Sequence, residues 1–195
     1  MEKEMTDTFQ SVLNLAYRYN PEDVAHAEQD AHLATTIFRL TRDLHELPQE
    51  YEELLEYAAL LHDIGYFHGY DQHHKHAYRM IVAADIPGLN EREKTIVALT
   101  ARYHRSARPK PTHPGFRDLS PEDQEIVTKM GAILRFADGL DRGHTDAVQD
   151  LECEIVGSHV IFTLHPHHGN ELERWAGLKK SRFFQQVFDV TVELR

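Results

Sequence analysis

The sequence predicts a mainly α protein: a helical bundle with a small C-terminal α/β appendage of strand, strand, helix and strand. Three observations carry this. Apolar residues recur at helical spacing along most of residues 1–140. After Thr145 the pattern changes to two short β-prone runs, a helical stretch and a last β-prone run. The length of 195 residues suits one main domain plus an appendage, here divided as a helical domain over 1–146 and an appendage over 147–195.

Asn20-Pro21-Glu22-Asp23 reads as a helix start, with proline in the first turn and acids beside the positive helix end. That helix is expected to run through Leu44. A second runs from about Pro48 to Asp63 and stops at Gly65. Further helices are expected over His73–Asp85, halted by Pro87-Gly88, over Glu91–Arg105, and over Pro121–Leu140 with Ser120 as cap. Residues 106–119, rich in proline, make the longest loop, and a loop of that length is usually functional or mobile. Leu151–Val156 and His159–Leu164 flank Gly157-Ser158, a hairpin signal. Glu171–Val187 reads as a helix and Val190–Leu194 as a strand. The HPHH run at 165–168 reads as a solvated loop.

The composition, 41% hydrophobic and 27% charged, is that of an ordinary globular chain. No run is long and apolar enough to span a membrane, and the polar, acidic start MEKEMTDTFQ is not a signal peptide. A lone Cys153 excludes an internal disulfide, so a reducing, cytoplasmic setting is expected. A formal net charge of −11 argues against general nucleic-acid binding. It leaves room for a phosphorylated small molecule wherever a metal reverses the local sign. The unusual number is 15 His, the commonest metal ligand.

Helix register sorts these histidines. His26 aligns with Asp30, Leu33, Ile37 and Leu40, whereas His32 aligns with Thr35, Thr36, Arg39 and Asp43. His26 therefore points inward and His32 to solvent. His62-Asp63 ends the apolar helix of Leu54, Ala58 and Leu61, and a shared cation would remove the cost of burying both. Asp138 follows Leu134 by one turn on the stripe of Met130, Ile133 and Ala137. Asp141, three residues on, either supports a ligand or caps the helix. His76 (with Met80 and Ala83) and His104 (with Val97 and Thr100) would complete a second metal site, whereas His73 and His74 fall at a helix start that fraying would expose. One inward His is more often a hydrogen-bonded core residue than a ligand. Inward His26, His62, Asp63 and Asp138 on three helices are hard to explain that way. For Glu22, stabilisation of the helix N-terminus is the simpler role.

The order His … His-Asp … Asp on successive helices resembles the HD superfamily of metal-dependent phosphohydrolases. The segments YAALLHDIGYF (57–67), HHKHAYRMI (73–81), ARYHRSARP (101–109) and ILRFADGLDRGH (133–144) are similar to the C-terminal HD region of the exopolyphosphatase/guanosine pentaphosphate phosphohydrolase family. YRYNPEDVAHAEQDAHLATTIF (17–38) and ELERWAGLKKSRFFQQVF (171–188) extend the likeness to both ends. The resemblance implies an HD-type bundle with His26, His62, Asp63 and Asp138 as metal ligands. It puts His76 and His104 where two-metal members place extra ones. Asp30 stands where the family usually has an apolar residue, either orienting His26 or tilting to solvent. The family's polyphosphate-cleaving site is placed in actin-like N-terminal domains that these 195 residues do not contain, so a stand-alone HD region is expected and that activity is not carried over.

Three functions are compatible with this reading. The first is a phosphohydrolase using one or two divalent transition ions (Mn, Fe, Co, Ni or Zn, with Mg also compatible) to activate water. Asp63, His62, His104 and Lys75 are its expected catalytic residues, and Lys75, Arg102, Arg105 and Arg142 would neutralise substrate charge. Its partner would be a phosphorylated small molecule, a nucleotide foremost, with no general nucleic acid and no membrane, and a homo-oligomer is compatible. The second is a nucleotide-binding regulatory module working with a partner protein. The third is a di-iron oxygenase using all six ligand positions.

Overall fold

A computed structural model of the chain describes residues 7–166 and 169–195. The expectations for the first six residues and for His167 and His168 lie outside the described residues. The helical periodicity resolves into α1 (Asp7–Tyr19), α2 (Val24–Leu40), α3 (Arg42–His45), α4 (Glu50–Leu61), α5 (His73–Ala83), α6 (Glu91–Arg102), α7 (Pro121–Leu140), α8 (Glu171–Lys180) and α9 (Arg182–Phe188). The strands are β1 (Asp150–Val156), β2 (His159–His165) and β3 (Thr191–Leu194). The protein is mainly α, with a small C-terminal sheet. No helix among the described residues is long and apolar enough to cross a membrane.

Local chemistry explains where these elements depart from the expected spans. The helix expected to reach Leu44 breaks at Thr41, whose hydroxyl donates to the Ile37 carbonyl (2.7 Å) that also accepts the Thr41 amide. A side chain that competes for a backbone carbonyl loosens the helix at that point. The same helix starts at Val24 rather than Pro21. Asp23 makes no capping bond and instead accepts from His144 (Nδ1···Oδ1 2.7 Å). The helix expected over 171–187 is interrupted at Ser181, whose hydroxyl donates to the Leu178 carbonyl (3.0 Å). α6 carries a reciprocal cap: the Glu93 amide donates to Asn90 (3.0 Å) and the Asn90 amide to Glu93 (2.9 Å). It ends at Arg102, so His104 lies just beyond the helix.

α7 is the central element. From Met130 to Leu140 every residue is buried, so the helix is covered all round, as expected of a core helix. It packs against α2, α6, α8 and α9. The sheet has the order β1-β2-β3. β1 and β2 form an antiparallel hairpin across Gly157-Ser158, and Gly157 (φ +59) supplies the left-handed conformation a tight turn needs. β2 and β3 run parallel, which requires a crossover, and α8–α9 provide it. Val160, Phe162 and Leu164 alternate inward. Phe162 packs on Phe136 of α7 (ring centroids 5.1 Å apart) and Phe184 of α9 meets the same ring (5.7 Å).

Two glycines permit backbone approaches that position side chains. A Cβ on Gly139 would lie 3.0 Å from Gly177 Cα and from Lys180 Cβ, so α7 and α8 approach closely at this point. That contact brings Lys180 beside Asp138. A Cβ on Gly65 would lie 1.9 Å from the His73 carbonyl oxygen and 2.6 Å from the Ala77 nitrogen. The 3-10 turn Ile64–His68 therefore rests on the first turn of α5.

Gly65→Ala is expected to destabilise the fold by about 1–3 kcal/mol, the usual penalty for overpacking, read as a lower midpoint in urea. An unchanged midpoint would show that the turn can move away from α5 freely.

Candidate metal centre

Each helix end near α7 contributes one or two polar side chains to a single buried place. α2 carries His26 and, one turn later, Asp30. His62 and Asp63 follow the last residue of α4, and His73 is the first residue of α5. His104 lies beyond α6, Asp138 on the last turn of α7, and Asp141 at its C-cap. All eight are buried, with Asp30, His62 and Asp141 at 0% exposure.

Their ligand-type atoms converge. One such atom each from His26, Asp30, His62 and Asp138 lie within 4.8 Å of one another, as do those of His62, Asp63 and His104. Asp30 Oδ2 is 3.6 Å from both His26 Nε2 and His62 Nε2. Asp63 faces two ways: Oδ2 is 3.2 Å from His62 Nε2, while Oδ1 is 3.3 Å from His73 Nε2 and 3.5 Å from His104 Nε2. His73 and His104 bring their Nε2 atoms to 3.2 Å.

All four imidazoles are held from behind through Nδ1. His26 Nδ1 meets Asp141 Oδ2 at 2.7 Å. His62 meets the Ala59 carbonyl at 2.7 Å, His73 that of Tyr70 at 3.1 Å, and His104 that of Ala101 at 2.6 Å. In the neutral tautomer that carries its hydrogen on Nδ1, each ring would turn an Nε2 lone pair into the cluster, the arrangement of metal-binding histidines. Asp141 also accepts from the Asp146 amide (3.1 Å), so it both ends α7 and orients His26.

The inward atoms lack partners. Both oxygens of Asp30, Asp63 Oδ1 and His62 Nε2 make no hydrogen bond. Buried, unsatisfied groups of this kind are costly. The electrostatics point the same way. Burial lifts the Asp30 carboxyl to about 7, partly opposed by His26. Burial disfavours protonated His26 and His62, yet the neighbouring carboxylates outweigh it and raise them to about 9 and about 10. Burial also works against ionised Asp63, but His62, His104 and His73 hold it well below the usual carboxylate range. For Asp138, Lys180 above all outweighs burial and lowers it to about 2. His104, buried and beside His62, falls to about 3. The raised imidazoles show how strongly the buried carboxylates call for positive charge at this place. A divalent cation would satisfy both the charge and the orphaned atoms. The oxygen and nitrogen donor set suits a transition metal.

The cluster lies at a cleft of about 420 Å³ that His26, Asp63, His73, His104 and Asp138 help to line. In a chain of net charge −11, this cleft gathers Arg105, Arg108, Arg135, Arg142, Lys179, Lys180 and Arg182. Lys180 donates from Nζ to Asp138 Oδ2. Arg135 is buried and donates to the Tyr103 carbonyl (2.8 Å) and to that of Ala107, fixing the segment that holds His104 and Arg105. Tyr66 stacks on His73 (4.2 Å) and His144 on His26 (3.6 Å), shielding two rings of the cluster.

The family model described as Ppx/GppA phosphatase, domain III, matches residues 9–177. The chain belongs to this family. The matched span of domain III contains every residue of the cluster and stops three positions before Lys180.

Within this domain III chain, the structure gathers His26, His62, Asp63, His104 and Asp138 as a set and adds Asp30. It does not bring His76 or Lys75 there. His76 is half-buried beside His68 (5.4 Å), and Lys75 donates to Gln72 (2.8 Å). The inward face of α5 is His73, Ala77 and Ile81 rather than His76, Met80 and Ala83. Helix fraying does not expose His73, because the Ile64–His68 turn covers that end of α5. The spacing His73–Ala77–Ile81 was the available signal. Of the expected substrate cations, Arg105 and Arg142 line the cleft, while Arg102 turns toward the Pro114 carbonyl and the Tyr78 ring. Lys180 and Arg182 had no sequence signal, since their place depends on the Gly139–Gly177 contact.

Two measurements probe the centre. Asp141→Asn is expected to weaken metal affinity by about 10–100-fold, as loss of an orienting acceptor does, read by calorimetric titration of the metal-free protein. Chelation is expected to lower Tm by roughly 5–10 °C, since an ion at 100 times its Kd adds about 2.7 kcal/mol. A Tm indifferent to chelator after metal loading would argue against a bound ion.

Proposed function

We propose that this chain is an HD-type, metal-dependent phosphohydrolase acting on a nucleotide or a similar small phosphorylated substrate. One observation carries the reading: a buried His/Asp cluster with unpartnered inward atoms opens into a cleft crowded with cations, in an otherwise acidic protein. Membership in a phosphatase domain family supports it, as does the order His26, His62-Asp63, Asp138.

His26, His62, Asp30 and Asp138 would hold one ion, and His73 and His104 a second, with Asp63 between them. Such an ion, of the Mn, Fe, Co, Ni or Zn type, lowers the pKa of water and supplies a hydroxide near neutral pH. The protein's own part is positioning. Asp141 and the Ala59, Tyr70 and Ala101 carbonyls fix the imidazoles. Arg105, Arg142 and Lys180, with Lys180 in the role expected of Lys75, hold phosphate oxygens at the cluster. Tyr66 and His144 limit access of bulk water. In this reading the helical body, residues 1–146, supplies the ligands, and residues 147–195 bring Lys180 and Arg182 to the cleft.

The regulatory reading has one observation in its favour. Lys180 already pairs with Asp138, so an ammonium balances a carboxylate that would otherwise call for a metal.

Metal analysis of the purified protein, followed by a phosphate-release screen over nucleotides with Mn, Co, Ni and Mg, tests the proposal. Asp63→Ala is expected to abolish release by more than about a hundredfold. Arg105→Ala is expected to raise KM by about tenfold or more, the usual effect of losing a charged hydrogen bond. Metal and nucleotide binding without release under any of the four ions would overturn the hydrolytic reading in favour of the regulatory one. Iron-dependent oxygen consumption would instead indicate the oxygenase.

A further inference from the structure

The cleft has an aromatic rim that the proposed hydrolysis does not use. Trp175 lines it and is 60% exposed, although a large apolar ring gains most from burial. α8 presents two other exposed apolar residues, Leu172 and Leu178, but neither lines the cleft. Trp175 is therefore singled out by position. One residue in the same helix, Lys179, sets its ammonium 5.0 Å from the indole centroid, within cation–π range. Tyr70, also exposed, repeats the arrangement with Arg105 (5.0 Å), and both line the same cleft. In each pair a flat ring is held beside a cation that can meet a phosphate. A planar base stacks on such a ring, while its phosphates reach the cations beside it.

We infer that Trp175 is a specificity-determining residue: it stacks the base of a nucleotide whose phosphates lie toward Lys179, Lys180 and the metal cluster. It thereby favours nucleotides over phosphate chains without a base. This inference rests on the proposed function only in taking the cleft as the site of a phosphorylated ligand. Hydrolysis is not required for it.

Trp175 is the only tryptophan in the chain, so its fluorescence reports on this place alone. The metal-loaded protein is titrated with a purine nucleoside triphosphate whose β,γ-bridging oxygen is replaced by methylene, and separately with tripolyphosphate. The nucleotide analogue is expected to quench the emission saturably, and tripolyphosphate to bind with little quenching. By calorimetry, Trp175→Ala is expected to weaken the analogue about tenfold, or ~1.4 kcal/mol, and to leave tripolyphosphate affinity unchanged. Trp175→Phe is expected to restore most of the loss. An unaltered thermal midpoint in the alanine variant confirms that the fold persists, as the exposure of the side chain requires.

Equal quenching by both ligands, equal weakening of both, or no binding of the analogue overturns the inference. Emission that changes with protein concentration and not with nucleotide overturns it too, and assigns the ring to contact between copies of the chain. The two proposals fail separately. Quenching and tenfold discrimination without phosphate release sustain the stacking role and remove the hydrolase. Release from nucleotides that is indifferent to Trp175→Ala does the reverse.

Discussion

The structure depends on keeping four carboxylates and four imidazoles together, largely buried, at the floor of a cleft. Asp30, Asp63, Asp138 and Asp141 meet His26, His62, His73 and His104 where helices with apolar inner faces come together. Burial of unbalanced charge is strongly opposed, so the surrounding architecture has to compensate. It does so from behind, with hydrogen bonds to each Nδ1, and from the front, with Lys180 and the cationic cleft. What remains unsatisfied is directed at one small volume. That residual demand distinguishes the cluster from a satisfied polar patch in a core and is what a cation would meet.

Parts of this were legible because they rest on local periodicity. His26 and His32 lie on one helix, and register separated them: His26 is buried, and His32 is exposed, its ring meeting the Gln149 carbonyl (3.1 Å). The same reasoning chose the wrong phase on α5. An 11-residue helix with polar residues at its start fits two registers, and the one realised is set by the Gly65 turn packed over His73, a contact distant from the helix in pattern though close in sequence. Register put Asp30 on the inward face with His26, but the family resemblance, which suggested an apolar position there, left its role open. Its neighbours His26 and His62 come from two different helices.

The cations of the cleft were legible only in part. Arg105 and Arg142 sit within a few residues of the cluster side chains and could be found from the motifs. Lys180 and Arg182 lie across a crossover from β2 to β3, and only the three-dimensional path of that crossover places them. The sheet was predictable from its alternation, and its consequence for the site was not. Residues that form a modest appendage in sequence supply one charged side of the cleft.

The chain order of these parts has a consequence for synthesis. Every member of the cluster precedes the last turn of α8, and Lys180 follows Asp138 by 42 positions. At about 5–20 residues per second that interval lasts roughly 2–8 s on the ribosome. The acidic cluster is thus translated before the lysine that screens it. During that interval the counter-charge for Asp138 comes from solution and not from α8, so the cluster is complete in sequence before the side chain that pairs with it exists.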